Sequence, residues 1–269
     1  MKKLSSKIYM YALYIFLYLP ILVLIVFSFN VSKSRANWYI KLFHNEAILR
    51  SLLNTVIVAL AASVLATILG TMAALGIHNM KKAPRAIIMG ATYIPVINPE
   101  IIMGISLMLL FRFFVDYFGF KFGFVSLILA HISFDVPYVI YNVLPKLRTM
   151  NPNLVEAALD LGCNQKMAFF KVVIPEIMPG IFSGFLMAVT YSVDDFVVSY
   201  FTTGVDVQTL SITIESMTRL KISPEINALS AIIFIVISAI LITKNVIENR
   251  KLRHERALVR AAMSKEGAR

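Results

Sequence analysis

Six long apolar runs constrain this chain more than any other feature of its sequence. At a rise of about 1.5 Å per residue, a helix of about 20 apolar residues crosses the hydrocarbon core of a bilayer. The runs cover residues 8–29, 54–77, 86–115, 124–144, 179–201 and 227–247. Hydrophobic residues make up 58% of the chain and charged residues 15%, with a mean hydropathy of +0.76, which is far more apolar than a soluble domain. We therefore expect an all-α integral membrane protein with six transmembrane helices.

The first run resembles a signal peptide only superficially. It follows three lysines, but its apolar part is longer than a signal peptide requires, and no good small-x-small cleavage site follows it. The sequence favours an uncleaved first span, which Pro20 should kink.

The third run, 86–115, is too long for one unbroken span. Pro95 and Pro99 flank Asn98 inside it, which predicts a span broken at Pro95 to Pro99. Irregular backbone is tolerated at membrane depth only where protein or a water-filled cavity covers it. The alternative is a helix that begins late, around Glu100.

Small residues recur at intervals of four in two of the runs. They are Ala62, Ala66, Gly70 and Ala74 in the second run, and Gly180 and Gly184 in the fifth. Small residues in one row let a neighbouring helix approach closely, so we expect tight helix packing along both rows.

A polar stretch, residues 151–175, interrupts the apolar runs. Asn151 before Pro152 is a helix-start signal, and Gly162 is suited to the left-handed backbone that follows a helix end. Asn164 should cap a second short helix, which Pro175 should break. An apolar stripe should run along the first of these helices through Leu154, Ala158 and Leu161.

This stretch carries a family resemblance. Glu156-Ala157-Ala158, then Gly162 after three residues, then Val172-Val173-Ile174-Pro175 after nine more resemble the EAA loop of type I ABC importer permeases, which share the MetI-like fold. The departures are Val172 for Ile and Ile174 for Leu. In that family the loop is cytoplasmic and docks into a groove of the ATPase subunit. The resemblance therefore assigns Glu156, Ala157, Ala158, Gly162 and Pro175 to ATPase coupling.

The resemblance also implies a set of partners. They are a dimer of ABC ATPase subunits, which would hold ATP and Mg²⁺, a second homologous permease subunit and an extracytoplasmic binding protein. The chain itself shows no P-loop, HExxH or GxSxG pattern. We expect no catalytic residue, no metal site and no cofactor bound by this chain, which makes it a transport subunit and not an enzyme.

The basic residues orient the chain. Its net charge of +11 could suggest nucleic acid, but the basic residues cluster at the ends of apolar runs and form no basic face on a soluble domain. With both termini in the cytoplasm, 18 of the 26 Lys and Arg residues lie on that side and 8 on the other. The excess of cytoplasmic Lys and Arg in membrane proteins thus predicts an inner-membrane protein with a cytoplasmic polar loop.

Four acids fall within or at the edges of the spans: Glu100, Asp135, Asp194 and Asp195. Each costs about 2.5–3.5 kcal/mol at a bilayer centre on insertion scales. Such acids should face a wet path that takes a cationic substrate. Structural alternatives remain: Asp135 could pair with His131 four residues earlier, Glu100 could cap a helix, and at most one of Asp194 and Asp195 should face the path, because they project about 100° apart.

Three segments narrow the resemblance. Residues 98–101, 192–199 and 223–229 look like those of spermidine/putrescine importer permeases, which implies polyamine transport and a polyamine-binding partner protein. A sister importer for another small solute stays open. A second alternative is a proton-coupled carrier with His131 and Asp135 as its relay, although no internal repeat supports a carrier.

The expected organisation has three parts. Residues 1–53 form the first span and an extracytoplasmic loop, 54–247 the permease core with the coupling loop 146–178, and 248–269 a charged cytoplasmic tail. Within the core, residues 202–226 are expected to form a long polar loop.

Overall fold

The computed structural model describes residues 2–28, 38–98, 100–205, 207–220, 227–232, 234, 235 and 238. All regular secondary structure in these residues is helical. The chain divides into two compact units, one formed by Met1–Glu46 and Met217–Arg269 and the other by Ala47–Ser216. The second unit contains the four predicted path acids and the polar stretch 151–175. The expected three-part organisation stays a prediction.

Eleven α-helices and one π-helical segment lie in the described residues up to Leu220. They are α1 (Lys2–Ser28), α2 (Trp38–His44), α3 (Glu46–His78), α4 (Lys82–Ile97), α5 (Glu100–Phe118), α6 (Phe124–Thr149), α7 (Asn153–Asp160), α8 (Gln165–Ala168), the π-helical segment (Phe169–Val173), α9 (Ile174–Asp194), α10 (Val197–Thr202) and α11 (Leu210–Leu220). Residues 227–232 are also helical.

Five stretches of the described residues are long and apolar enough to cross a membrane: Tyr9–Ser28, Glu46–His78, Glu100–Phe118, Phe124–Thr149 and Gln165–Asp194. The expected all-α membrane fold is therefore confirmed. Most of the predicted sixth span, 227–247, and the whole tail 248–269 lie outside the described residues.

The second and third runs differ in detail from the prediction. The helix that forms the second predicted span, α3, begins at Glu46, eight residues before the predicted start. The third run is two helices. The backbone is extended at Asn98 (φ −66°, ψ 141°), whereas Pro95 lies inside α4 and does not end it. The predicted break is thus confined to its C-terminal end, where Pro99 itself lies outside the described residues, and α5 alone has the length of a span.

The core of the 47–216 unit centres on Val139 of α6. A Cβ on Gly70 of α3 would lie 2.6 Å from the Val139 Cβ, and a Cβ on Gly184 of α9 would lie 3.1 Å from the Val139 Cα. Ala62, Ala66 and Ala74, in the same row as Gly70, are fully buried. The close packing predicted for both rows of small residues is confirmed, because a Cβ would overlap Val139 at Gly70 and would be tighter than an ordinary van der Waals contact at Gly184.

The fifth run contains a break that was not predicted from the sequence. The helix α9 ends at Asp194, the backbone is extended at Asp195 (φ −64°, ψ 124°), and α10 resumes at Val197. The helix α10 packs on α5 where Gly104 approaches Phe201, since a Cβ on Gly104 would lie 2.8 Å from the Phe201 ring. The fifth span is therefore discontinuous next to two of its acids.

Residues 202–226 were expected to form one long loop, but their described part does not. They contain α11, and residues in and just before α11 bond to α3. The Thr55 hydroxyl accepts from the Leu210 N–H at 2.7 Å, Ser51 Oγ lies 2.6 Å from Thr213 Oγ1, and the Asn54 amide donates to the Gln208 carbonyl at 3.1 Å. The prediction was wrong because these polar side chains bond to another helix, which composition does not reveal.

Candidate functional site

An acid-lined cavity lies where the breaks in the helices come together. It has a volume of about 140 Å³. Its polar lining comes from Glu100, Tyr138, Tyr191, Asp194 and Asp195, and its apolar lining from Pro95, Met103, Phe134 and Val198. Three of the four predicted path acids are thus brought together. Asp195 borders this cavity, and the break at Asn98 lies between two lining residues, Pro95 and Glu100, as expected where irregular backbone is sheltered at membrane depth.

Two tyrosines form an aromatic wall of the cavity. The rings of Tyr138 on α6 and Tyr191 on α9 stack with centroids 4.1 Å apart and an interplanar angle of 19°. An aromatic face attracts a cation by about 0.5–2 kcal/mol, more when the cation is desolvated. Carboxylates beside stacked tyrosines suit an organic ammonium group. Neither tyrosine was predicted from the sequence, although each lies within a turn of a predicted path acid.

Asp194 and Asp195 have different roles in the structure. Asp195 Oδ1 accepts from the Val198 N–H at 3.1 Å, and Oδ2 accepts from the Ser199 N–H and hydroxyl at 2.7 Å each. Its side chain is only 5% exposed. Asp195 therefore caps α10, while Asp194 is exposed and lines the cavity. Both residues border the cavity, so the expectation that at most one of the pair faces the path stays a prediction.

Glu100 is the first residue of α5. It is exposed and lines the cavity across from α9. A carboxylate in the first turn is favoured by the helix dipole, so the capping alternative and a role in the cavity are compatible at this position.

Asp135 and His131 do not pair. His131 Nδ1 lies 2.5 Å from Ser192 Oγ, and its Nε2 lies 3.0 Å from Ser199 Oγ and 3.7 Å from Asp195 Oδ2. Both carboxylate oxygens of Asp135 are buried without a hydrogen-bond partner among the described residues. The alternative of a His131–Asp135 contact is wrong, because the break after α9 places Ser192, Ser199 and Asp195 next to the imidazole nitrogens.

The polar stretch folds as two short helices joined at a glycine. Gly162 has φ +87°, in the left-handed region, and the Asn164 side chain accepts from the Met167 N–H at 2.8 Å. The Asn151 side chain accepts from the Asn153 N–H at 3.0 Å, and Pro152 between them has helical backbone angles (φ −59°, ψ −31°), as expected for a cap followed by proline at the first helical position. The helix stop at Gly162 and the cap at Asn164 are confirmed.

Pro175 was predicted to break the second short helix, but the helix continues through it. The chain passes from α8 through the π-helical segment into α9 without leaving helical geometry, and Pro175 lies in the first turn of α9. A proline in a first turn removes no required hydrogen bond, and the wider π register shifts the hydrogen bonds just before it. Gln165–Asp194 is consequently one apolar helical stretch.

The apolar stripe on α7 differs from the prediction. Only Ala158 is buried, at 8% exposure, while Leu154 is 38% and Leu161 is 87% exposed. Phe170 in the π-helical segment is 68% exposed. Glu156 and Ala157 are also exposed. The loop thus presents apolar and acidic side chains outward, which is typical of a surface that a partner covers.

The fold and the site define a class: a multi-pass helical membrane protein with a sheltered acidic cavity and an exposed helical loop. The family model described as "Binding-protein-dependent transport system inner membrane component" matches residues 66–250. The chain belongs to this family, and the resemblance to type I ABC importer permeases is confirmed. It is a multi-pass inner-membrane protein and a permease subunit of a transport system.

Curated relatives cover most of the chain. The spermidine/putrescine transport system permease protein PotC of Haemophilus influenzae is 35% identical over 218 residues, which are 81% of this chain and 83% of the relative. PotC of Escherichia coli K12 is 32% identical over 252 residues, 91% and 94% of the two chains. The putrescine transport system permease protein PotI of the same strain is 33% identical over 232 residues, 82% of each chain.

Proposed function

We propose that this chain is one permease subunit of an ATP-driven importer that carries polyamines into the cytoplasm. The cavity carries the proposal: Glu100 and Asp194 supply negative charge, and the Tyr138–Tyr191 stack supplies an aromatic face. The names of the relatives agree with this substrate class. A cavity of this kind repels anions and offsets the dehydration of an ammonium group.

The four acids have different roles in this proposal. Glu100 and Asp194 contact the substrate, and Asp195 holds the helix break that places Asp194. Asp135 is enclosed in this conformation, so its predicted place on the path requires a conformation in which α6 opens to the cavity. The proton-relay alternative loses support, because His131 bonds to serines and not to Asp135.

The exposed loop is the proposed docking site for the ATPase. The coupling residues Glu156, Ala157, Ala158, Gly162 and Pro175 belong to one helical assembly that continues into α9, and α9 ends at the cavity. In this proposal, a displacement of the loop by the ATPase subunits is transmitted along α9 to Asp194. The assembly comprises two ATPase subunits that hold ATP and Mg²⁺, a second homologous permease subunit and an extracytoplasmic polyamine-binding protein, and both termini of this chain are cytoplasmic.

Uptake by the reconstituted full complex tests the function. Proteoliposomes with ATP enclosed should accumulate radiolabelled spermidine when the loaded binding protein is present, and an ATPase variant that binds but does not hydrolyse ATP should abolish uptake. An uncoupler that collapses a proton gradient should leave uptake unchanged. Uptake that follows the proton gradient without ATP would establish the carrier alternative instead.

A further inference from the structure

His131 contacts both sides of the break between α9 and α10. Its Nδ1 lies 2.5 Å from Ser192 Oγ on α9, and its Nε2 lies 3.0 Å from Ser199 Oγ on α10. The imidazole side chain is 1% exposed, so solvent does not compete for either nitrogen. One side chain of α6 therefore fastens two helix segments that the backbone alone would leave loosely joined.

The direction of these hydrogen bonds follows from the donors available. The Ser199 hydroxyl donates its single hydrogen to Asp195 Oδ2 at 2.7 Å. It must therefore accept from His131, which places a hydrogen on Nε2. In a neutral imidazole the other nitrogen is an acceptor, so Nδ1 accepts from the Ser192 hydroxyl. The bonds run in one direction, from Ser192 through His131 and Ser199 to the Asp195 carboxylate.

The chain of bonds ends at the residue that shapes the cavity wall. Asp195 accepts also from the Val198 and Ser199 N–H groups, so its carboxylate is held at the first turn of α10. Asp194 is its direct neighbour and lines the cavity. A rotation at the extended residue Asp195 would change how Asp194, at the end of α9, is placed relative to α10, whose Val198 also lines the cavity.

We propose that His131 is a positioning residue for the substrate cavity. Its Nε2–H, acting through Ser199 on Asp195, fixes the break between α9 and α10 and thereby the location of Asp194. The expected effect on substrate affinity rests on the proposed function. The expected effect on the location of Asp194 does not depend on it.

Two amide variants separate the Nε2 side of the ring from the Nδ1 side. The amide nitrogen of His131→Gln reaches the place of Nε2 and donates to Ser199, whereas His131→Asn reaches only the place of Nδ1. The half-saturation concentration for spermidine should rise about ten-fold in His131→Asn, as for loss of one hydrogen bond to a charged network. The maximum rate per assembled complex should change less, and His131→Gln should stay near wild type.

A labelling experiment reads the location of residue 194 without any substrate. In a Cys163→Ser, Asp194→Cys background, the rate at which a cationic thiol reagent modifies residue 194 should change several-fold when His131→Asn is added, but not when His131→Gln is added. Ser199→Ala removes the same hydrogen bond without changing α6, so it should have the same effect as His131→Asn. It replaces His131→Asn in the experiment if the His131→Asn complex assembles poorly. His44→Gln, at an exposed histidine that bonds its own helix, is the control.

The two readouts distinguish the positioning role from the substrate assignment. Equal behaviour of the Gln and Asn variants, with only the amount of folded complex reduced, overturns the inference, and so does a labelling rate that is independent of residue 131. Absence of spermidine uptake by the wild-type complex, together with labelling that depends on residue 131, overturns the proposed substrate and supports the positioning role.

Discussion

Two adjacent aspartates show how far the local environment separates identical residues. Asp195 makes three hydrogen bonds to the first turn of α10, so its charge is already satisfied within the protein. Asp194 lines the cavity, and among the described residues its carboxylate accepts no hydrogen bond. Only a charge that the protein leaves available can contribute strongly to binding a cationic substrate.

We expect Asp194→Asn and Asp195→Asn to fail in different ways. Asp194→Asn removes a charge that acts on the substrate, worth about 1.5–3 kcal/mol, so spermidine uptake per assembled complex should fall about ten- to a hundred-fold. Asp195→Asn replaces one of two accepting carboxylate oxygens with an amide donor that faces the N–H and O–H donors of α10, so it should lower the thermal unfolding midpoint of the complex, at a cost of about 1–3 kcal/mol. Uptake normalised to assembled complex and a thermal unfolding assay measure the two effects.

Asp116→Asn is the matched control for these variants. Asp116 pairs with Arg112 at 3.2 Å on the exposed face of α5, away from the cavity lining, so its loss should change neither quantity. Full uptake per complex in Asp194→Asn would remove the main physical support for a polyamine substrate.

At the scale of elements, two glycines are required for different reasons. Gly162 needs its backbone angle, because φ is +87° and a Cβ there would meet nothing within 4 Å. Gly70 needs its lack of a side chain, because a Cβ would lie 2.6 Å from the Val139 Cβ. The first glycine shapes the loop, and the second allows α3 and α6 to approach.

Gly162→Val should uncouple the loop from its partner. A β-branched residue resists positive φ, whereas Asn tolerates it, so Gly162→Asn should retain most function although its side chain is of similar size. The Val variant should insert normally but bind the ATPase subunits weakly and lose substrate-stimulated ATP hydrolysis. Gly119, at φ +66° with equally open surroundings, gives the control Gly119→Val, which should be strained without affecting ATPase binding. Normal stimulated hydrolysis in Gly162→Val would contradict the coupling role.

Alanine at three helical glycines should destabilise in the order of the available space. Gly70→Ala should cost about 1–3 kcal/mol by overpacking, and Gly184→Ala should cost less, because its closest contact is 3.1 Å. Gly76→Ala should be neutral or slightly stabilising, since nothing lies within 4 Å of its Cβ. Thermal unfolding of the detergent-solubilised complex gives the order. An equal cost for Gly70→Ala and Gly76→Ala would contradict the packing role of Gly70.

At the scale of the whole molecule, the continuous helical path from the loop to the cavity matters most. The π-helical segment joins the loop helices to α9, and α9 ends at Asp194. The second loop helix, α8, and the acidic cavity are therefore at opposite ends of one helical stretch, Gln165–Asp194. Movement of α8 relative to α6 would be transmitted to the cavity along α9.

Cys163, the sole cysteine, tests the orientation of this path. In permease complexes without the ATPase, an impermeant maleimide should label it in inside-out vesicles and not in intact cells. The control is Val205→Cys in a Cys163→Ser background. Val205 is 97% exposed and lies near Phe124, at the end of α6 opposite to the loop, so it should be labelled from outside. Labelling of Cys163 in intact cells would refute both the orientation and the docking role.

The elements that could be predicted from the sequence are those set by short-range physics. Apolar length specifies the spans, Asn164 and Gly162 specify the ends of the loop helices, and rows of small residues specify close packing, because each signal lies within a few turns of one helix. Such features follow from the residues themselves, whatever the rest of the chain does.

The cavity depended on tertiary structure. The sequence predicted acids in the membrane, but not that Asp195 would cap a new helix, that Tyr138 and Tyr191 would stack, or that His131 would bond to Ser192 and Ser199 instead of Asp135. It also predicted a break at Pro175 that the π-helical segment removes. The class of protein and its helical segments follow from the amino-acid sequence alone, since these depend on local hydrophobicity and capping. Which polar groups are satisfied internally and which remain available to a substrate is settled by the tertiary structure, since that depends on the side chains that neighbouring helices bring within hydrogen-bonding distance.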